Sequence, residues 1–229
     1  MCKSLRMKKN LFLLLFALLP FFQMQAQHKF KLGINGGATY SKFRNQDVVT
    51  INGTYGFGFM AGLSAEYYLK DNLSLKANLS YDRKSSRAKS TLSVREYYDS
   101  YPIVYRQKIT YNYDYLTLPI MVKFDFGKNK DFFINGGPFI GYLLQSELKS
   151  KMKPSYPTDP LDTTDSYNSF DYGLTVGFGK IVKLTEKTDL SIEVRDNLGL
   201  SKMNDFETYG GKDIRSNSFN LIIGCSFDM

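Results

Sequence analysis

The stretch "GFGFMAGLSAEYYLK" at 56–70 separates into two alternating sets of side chains. One holds Phe57, Phe59, Ala61, Leu63, Ala65, Tyr67 and Leu69, and the other Gly56, Gly58, Met60, Gly62, Ser64, Glu66, Tyr68 and Lys70. Successive side chains of a strand point to opposite faces, so the alternation predicts a strand with one greasy and one polar face. The pattern recurs at 73–82, where Leu73, Leu75, Ala77, Leu79 and Tyr81 oppose Ser74, Lys76, Asn78, Ser80 and Asp82. It recurs again at 115–126 and 170–179, and less regularly at 30–43, 132–147, 189–199 and 216–228. Eight strands are therefore predicted. No long segment follows the helical period, and beyond residue 26 there is no run of about 18 apolar residues that would make a membrane helix.

The connections fall into two alternating classes. Asp71-Asn72, "GKNKD" at 127–131 and "TEKT" at 185–188 are tight turns, whereas those near 44–53, 85–110, 149–166 and 201–214 are long and polar. Short turns at one end, long loops at the other and an even strand count are the layout of an outer membrane barrel. Lipid offers a strand edge no hydrogen-bond partner, so the sheet must close on itself. The predicted fold is all-β: an eight-stranded antiparallel transmembrane β-barrel, an up-and-down meander whose interior is filled by side chains.

Energy decides which face looks outward. Glu66, Lys76, Lys123, Asp125, Glu193 and Arg195 all lie on the polar sets, and a Lys or Arg facing lipid at mid-membrane costs about 2–4 kcal/mol. Enclosed by the barrel, these groups can pair as a charge network. The apolar sets then face lipid, with Tyr67, Tyr81, Tyr115, Tyr142 and Tyr172 expected at the membrane interfaces. Pro119 and Pro138 fall inside strands, where the missing N–H leads us to expect bulges.

The first residues bear on destination. A basic stretch with Lys3, Arg6, Lys8 and Lys9, the apolar run "LFLLLFALLPFF" and small Ala26 match a cleaved secretory signal peptide at 1–26, leaving residues 27–229 as the barrel domain. An uncleaved anchor is the alternative. Removing that segment lowers the formal charge from +8 to +4. The remaining cations form no nucleic-acid reading motif and read as solvated surface charge. The mature chain keeps one cysteine, Cys225, and hence no internal disulfide.

Several segments resemble the PorT-like outer membrane β-barrel proteins, within the broad OmpA/OmpX-like eight-stranded superfamily. They are "YLTLPIMVKF" at 115–124, "FFINGGPFIGYLL" at 132–144, "DYGLTVGFGKIV" at 171–182, "LSIEVRDNLGLSKM" at 190–203 and "NLIIGCSF" at 220–227. The resemblance implies an integral outer membrane location, and one named member of that family is an accessory of a secretion system. The partners it implies are outer membrane lipid, lipopolysaccharide and the barrel-assembly machinery.

Candidate chemistry is sparse. Barrel enzymes that act on lipid A, and barrel proteases, commonly use a histidine base. The only histidine here, His28, precedes the first strand. No metal-ligand spacing or phosphate loop occurs, so neither catalysis nor a cofactor is expected. The best binding candidate is the 85–110 loop, where Tyr97, Tyr98, Tyr101 and Tyr105 interleave with Arg95, Arg106 and Lys108, a composition suited to contact surfaces, where Tyr and Arg are enriched. Because 104–115 also alternates, the flanking strands are expected to project as a hairpin. The resulting expectation is a structural or binding role through the outer loops, with no pore. Three readings compete with it: a secretion accessory, a lipid A-modifying enzyme and a soluble periplasmic barrel.

Overall fold

The computed structural model describes residues 30–45, 53–94, 103–153, 159–206 and 213–229. Eight long strands form the wall: β1 Phe30–Arg44, β2 Gly53–Lys70, β3 Leu73–Val94, β4 Ile103–Phe126, β5 Phe132–Lys153, β7 Phe170–Lys183, β8 Thr188–Gly199 and β9 Arg215–Asp228. Neighbours along this series pair antiparallel, and β1 pairs with β9 over Lys31↔Asp228 to Arg44↔Arg215, which closes the ring. A two-residue strand, β6 Leu161–Asp162, lies against the far end of β5. The alternation did not predict it, because two residues carry no period.

The tight turns fall where the sequence places them. Residues 127–131 reverse the chain through Gly127, at φ +92°, a left-handed conformation that glycine adopts without a Cβ penalty. At the opposite end, β3 and β4 stay paired out to Val94↔Ile103. Most of the predicted 85–110 loop is therefore a projecting hairpin rather than loop.

Orientation follows the energetic argument. Phe57 is 64% exposed and Val176 54%, whereas Glu193 and Arg195 are each 2% exposed. The greasy faces cover the outside of the cylinder, and the ionised side chains are enclosed. Tyr67, Tyr142 and Tyr172 point outward, but Tyr115 does not. It shares the inward set with Thr117 and Lys123 and is fully buried, which corrects the expectation of an interfacial position.

The prolines cause no bulge either. Pairing lapses between Ala77↔Ile120 and Ser80↔Thr117, and between Pro119↔Phe139 and Val122↔Gly136, with the register kept across both gaps. A missing N–H removes a ladder bond without requiring an extra residue. The register shifts occur elsewhere: between Tyr55 and Met60 on β2, between Tyr68 and Lys70, and between Asp114 and Tyr115 in the β4–β5 pairing. The first lies within Gly56-Phe57-Gly58-Phe59. There a Cβ on Gly58 would collide with the Arg83 carbonyl oxygen, so the local backbone approach requires glycine.

Candidate functional site

Inward positions on β2, β3, β4 and β8 bring the six charged residues expected from the sequence into two adjoining groups. In the first, Lys123 Nζ lies 2.7 Å from Glu66 Oε1 and 3.1 Å from Asp125 Oδ1, and Ser74 Oγ donates to Glu66 Oε1 at 2.6 Å. In the second, Glu193 accepts from Lys76 Nζ at 3.2 Å, Arg195 Nε at 2.7 Å and Asn135 Nδ2 at 2.9 Å. Phe133, wholly buried, links the two groups, with Lys123 Nζ 5.0 Å and Lys76 Nζ 5.3 Å from its ring centroid. One group carries a formal −1 and the other +1, so together they are neutral. The neighbouring cavity is about 30 Å³, room for a water or two.

Small residues make this packing possible. A Cβ on Gly177 would lie 2.6 Å from both Asn135 Oδ1 and Glu193 Oε1. Glycine leaves that volume to the network. Register alone does not fix the pairing: Lys76 stands directly opposite Glu66 in the ladder, yet its ammonium reaches across the cylinder to Glu193.

Two further clusters escaped the sequence reading. At the turn end, Lys31 Nζ lies 2.5 Å from Asp189 Oδ2 and 3.2 Å from Asp228 Oδ1. Toward the loop end, Lys84, 1% exposed, pairs with Asp171 at 2.8 Å, and Asp171 also accepts from Ser216 and Ser201. Lys84 continues the inward set of Lys76, Asn78, Ser80 and Asp82, and was missed because the strand was read only to Asp82. Asp171 was visible on the polar face of 170–179 but had no evident partner.

Above Lys84 the interior changes character. Phe43, Tyr113, Tyr115, Leu143, Met203 and Ile214 form a buried cluster across the loop-end mouth. Phe43 and Tyr113 meet edge to face at 4.5 Å, and Tyr113 meets Tyr167 at 4.9 Å. Met203, Asn204 and Ile214 are joined to one another at this cap: Met203 N donates to Ile214 O at 2.9 Å, and Ile214 N to Asn204 Oδ1 at 2.8 Å.

Of the candidate contact residues, Arg95, Tyr97, Tyr98 and Tyr101 lie outside the described residues, as does the side chain of Tyr105. Arg106 is exposed on the outer face of β4. Among the described residues no group of three or more His, Cys, Asp or Glu side chains is placed to hold a metal ion.

Comparison with known proteins agrees with this architecture. Residues 22–205 match the profile of the outer membrane protein beta-barrel domain family. The chain belongs to that family. It is therefore an integral outer membrane protein. No curated protein matches the sequence. Among solved structures, Neisserial surface protein A is similar at 16% identity and a TM-score of 0.41, over 86% of this chain and 97% of that one. OprG from Pseudomonas aeruginosa is similar at 14% identity and 0.42, over 90% and 99%. AlkL, determined by solid-state NMR in lipid bilayers, is similar at 10% identity and 0.44, over 90% and 93%.

Proposed function

We propose that this outer membrane barrel is a structural and binding component that works through its loop end and carries neither solute nor catalysis. The observation that carries the reading is the β3–β4 hairpin, which remains paired well beyond the last lipid-facing aromatic of β3, Tyr81, out to Val94↔Ile103, the two positions that 95–102 connect in sequence. A paired stalk whose connection carries Arg95, Tyr97, Tyr98 and Tyr101 suits capture of a protein partner, since Tyr and Arg are enriched among the residues that dominate contact energies. The paired interior charges and the aromatic cap support the absence of conduction. The test replaces 95–102 with a two-residue Asn-Gly turn, which preserves the stalk. Loss of partner pull-down and of adhesion, with folded mobility on unboiled gels retained, is the expected result; unchanged binding would remove the loop from the account.

A second reading follows the likeness to PorT-like proteins, in which the bound partner is a component of a protein export system. A secretion defect on gene deletion, restored by the full chain and not by the tip replacement, supports it. Lipid A mass spectra unaltered by deletion are expected, and a changed acylation pattern would favour a barrel enzyme instead.

A further inference from the structure

The outer wall of the projecting hairpin carries a pattern that partner binding at the tip does not use. In the register of β3, β4 and β5, Lys89 stands opposite Lys108, and Lys108 opposite Lys151. Directly opposed side chains share a face with Cβ atoms about 5 Å apart, so like charges there repel. Here three ammonium groups stand in one row across three strands, all exposed. Arg87 and Lys149 flank Thr110 in the next row toward the membrane, and Arg106 stands in the row above. The carboxylates on β4 and β5 of this face are already engaged, Asp114 by Arg83 at 2.6 Å and Glu147 by Lys149 at 2.9 Å, and Asp162 of β6, opposite Glu147, accepts from the Thr164 backbone N–H and hydroxyl. Among the described residues, Arg87, Lys89, Arg106, Lys108 and Lys151 have no carboxylate at ion-pair distance. Among the described residues, the opposite wall shows one opposed cation pair, Arg44↔Arg215, and no row of three. At the same end, β7 and β8 show Phe170, Tyr172 and Leu198 outward, and Arg215 of β9 lies 3.7 Å from Asp213.

Position narrows what would neutralise the row. Arg87 and Lys89 lie six and eight residues beyond Tyr81 on one face of β3. At about 3.3 Å per residue and a tilt near 40°, that is roughly 15–20 Å above the hydrocarbon edge. Phospholipid head groups reach only about 5–8 Å above that edge. The phosphorylated saccharide of lipopolysaccharide extends to this height. We propose that the outer face of β3–β4–β5 is a docking surface for the sugar phosphates of lipopolysaccharide molecules packed against that side of the barrel. Bridging phosphates turn a repulsive lysine row into a shared anion site and fix which wall the lipid contacts. The inference goes beyond the tip-binding function and rests only on the outer membrane placement.

The test uses the full mature protein folded into phosphatidylcholine vesicles, with a variant carrying Lys89→Gln, Lys108→Gln and Lys151→Gln together. Without lipopolysaccharide, the variant should be as resistant to unfolding as the parent or more so, because the repulsion is gone. With lipopolysaccharide added, the order should invert, and apparent affinity for it should fall by roughly tenfold or more. Removing the phosphates chemically from the lipopolysaccharide should abolish the difference, and phosphatidylglycerol should not substitute for it. Equal titrations of parent and variant would overturn the proposal, as would equal binding of the dephosphorylated lipid or full substitution by phosphatidylglycerol. Replacement of 95–102 should leave the lipopolysaccharide titration unchanged, so failure of the ladder and failure of the tip are read separately.

Discussion

The two ends of the interior are filled by opposite means. The turn-side half is packed with ion pairs around Phe133, and the loop-side mouth with Phe43, Tyr113, Tyr115, Met203 and Ile214. The wall outside reverses in step. On β4 the outward set runs Phe126, Phe124, Val122, Ile120 and Leu116, then Asp114, Thr110, Lys108 and Arg106, while the inward set runs from Asp125 and Lys123 to Tyr115 and Tyr113. The inversion falls around Tyr115–Leu116. Where acyl tails solvate the outside, apolar residues gain nothing by turning inward, and charge has only the interior to occupy. Past the lipid the outside meets water, and burial of apolar surface again favours the interior.

Substitutions in each zone break or sharpen this contrast. The largest effect is expected for Glu193→Leu, which leaves Lys76 and Arg195 enclosed without their carboxylate. The expected loss is about 4 kcal/mol in denaturant unfolding from lipid vesicles, with no conductance gained in planar bilayers. Tyr113→Ala should cost about 3 kcal/mol by opening a void in the cap, and should speed amide exchange at 203–206 and 213–214 while leaving exchange near Glu193 unaltered. Ile120→Arg places a cation on the lipid side of the same strand and should cost about 2 kcal/mol. A negligible loss there would mean that this face is not in contact with lipid. The smallest change is expected for Lys31→Met. Its pairs with Asp189 and Asp228 sit at the turn-side rim, where these side chains keep 11–17% of their surface exposed, so the loss should be about 1 kcal/mol and shrink in high salt, whereas the effect of Glu193→Leu should not.

Much of the barrel was legible because its strongest signal, period two with glycine and charge on one side, is local in sequence. The eight long strands, the tight turns and the six enclosed charges each follow from neighbouring residues and the cost of a charge in lipid. The outer parts of β3 and β4 were less legible: "SSRAKSTLSV" is polar on both faces, as a strand is when water lies outside and small polar side chains lie within. The aromatic cap was hidden for a different reason. Phe43, Met203 and Ile214 come from or beside segments that read as polar loops, and only closure of the ring brings them over Tyr113.

The sequence by itself determined that this chain is a membrane-spanning barrel and, Tyr115 excepted, which face of the clearly alternating strands meets lipid, because both follow from one residue's relation to the next and from the energy of transfer between water and hydrocarbon. Only the tertiary structure decided which charge neutralises which, where the wall reverses polarity and which lysines stand in one row. Those depend on register and ring closure, which set neighbours by distance across the cylinder rather than along the chain.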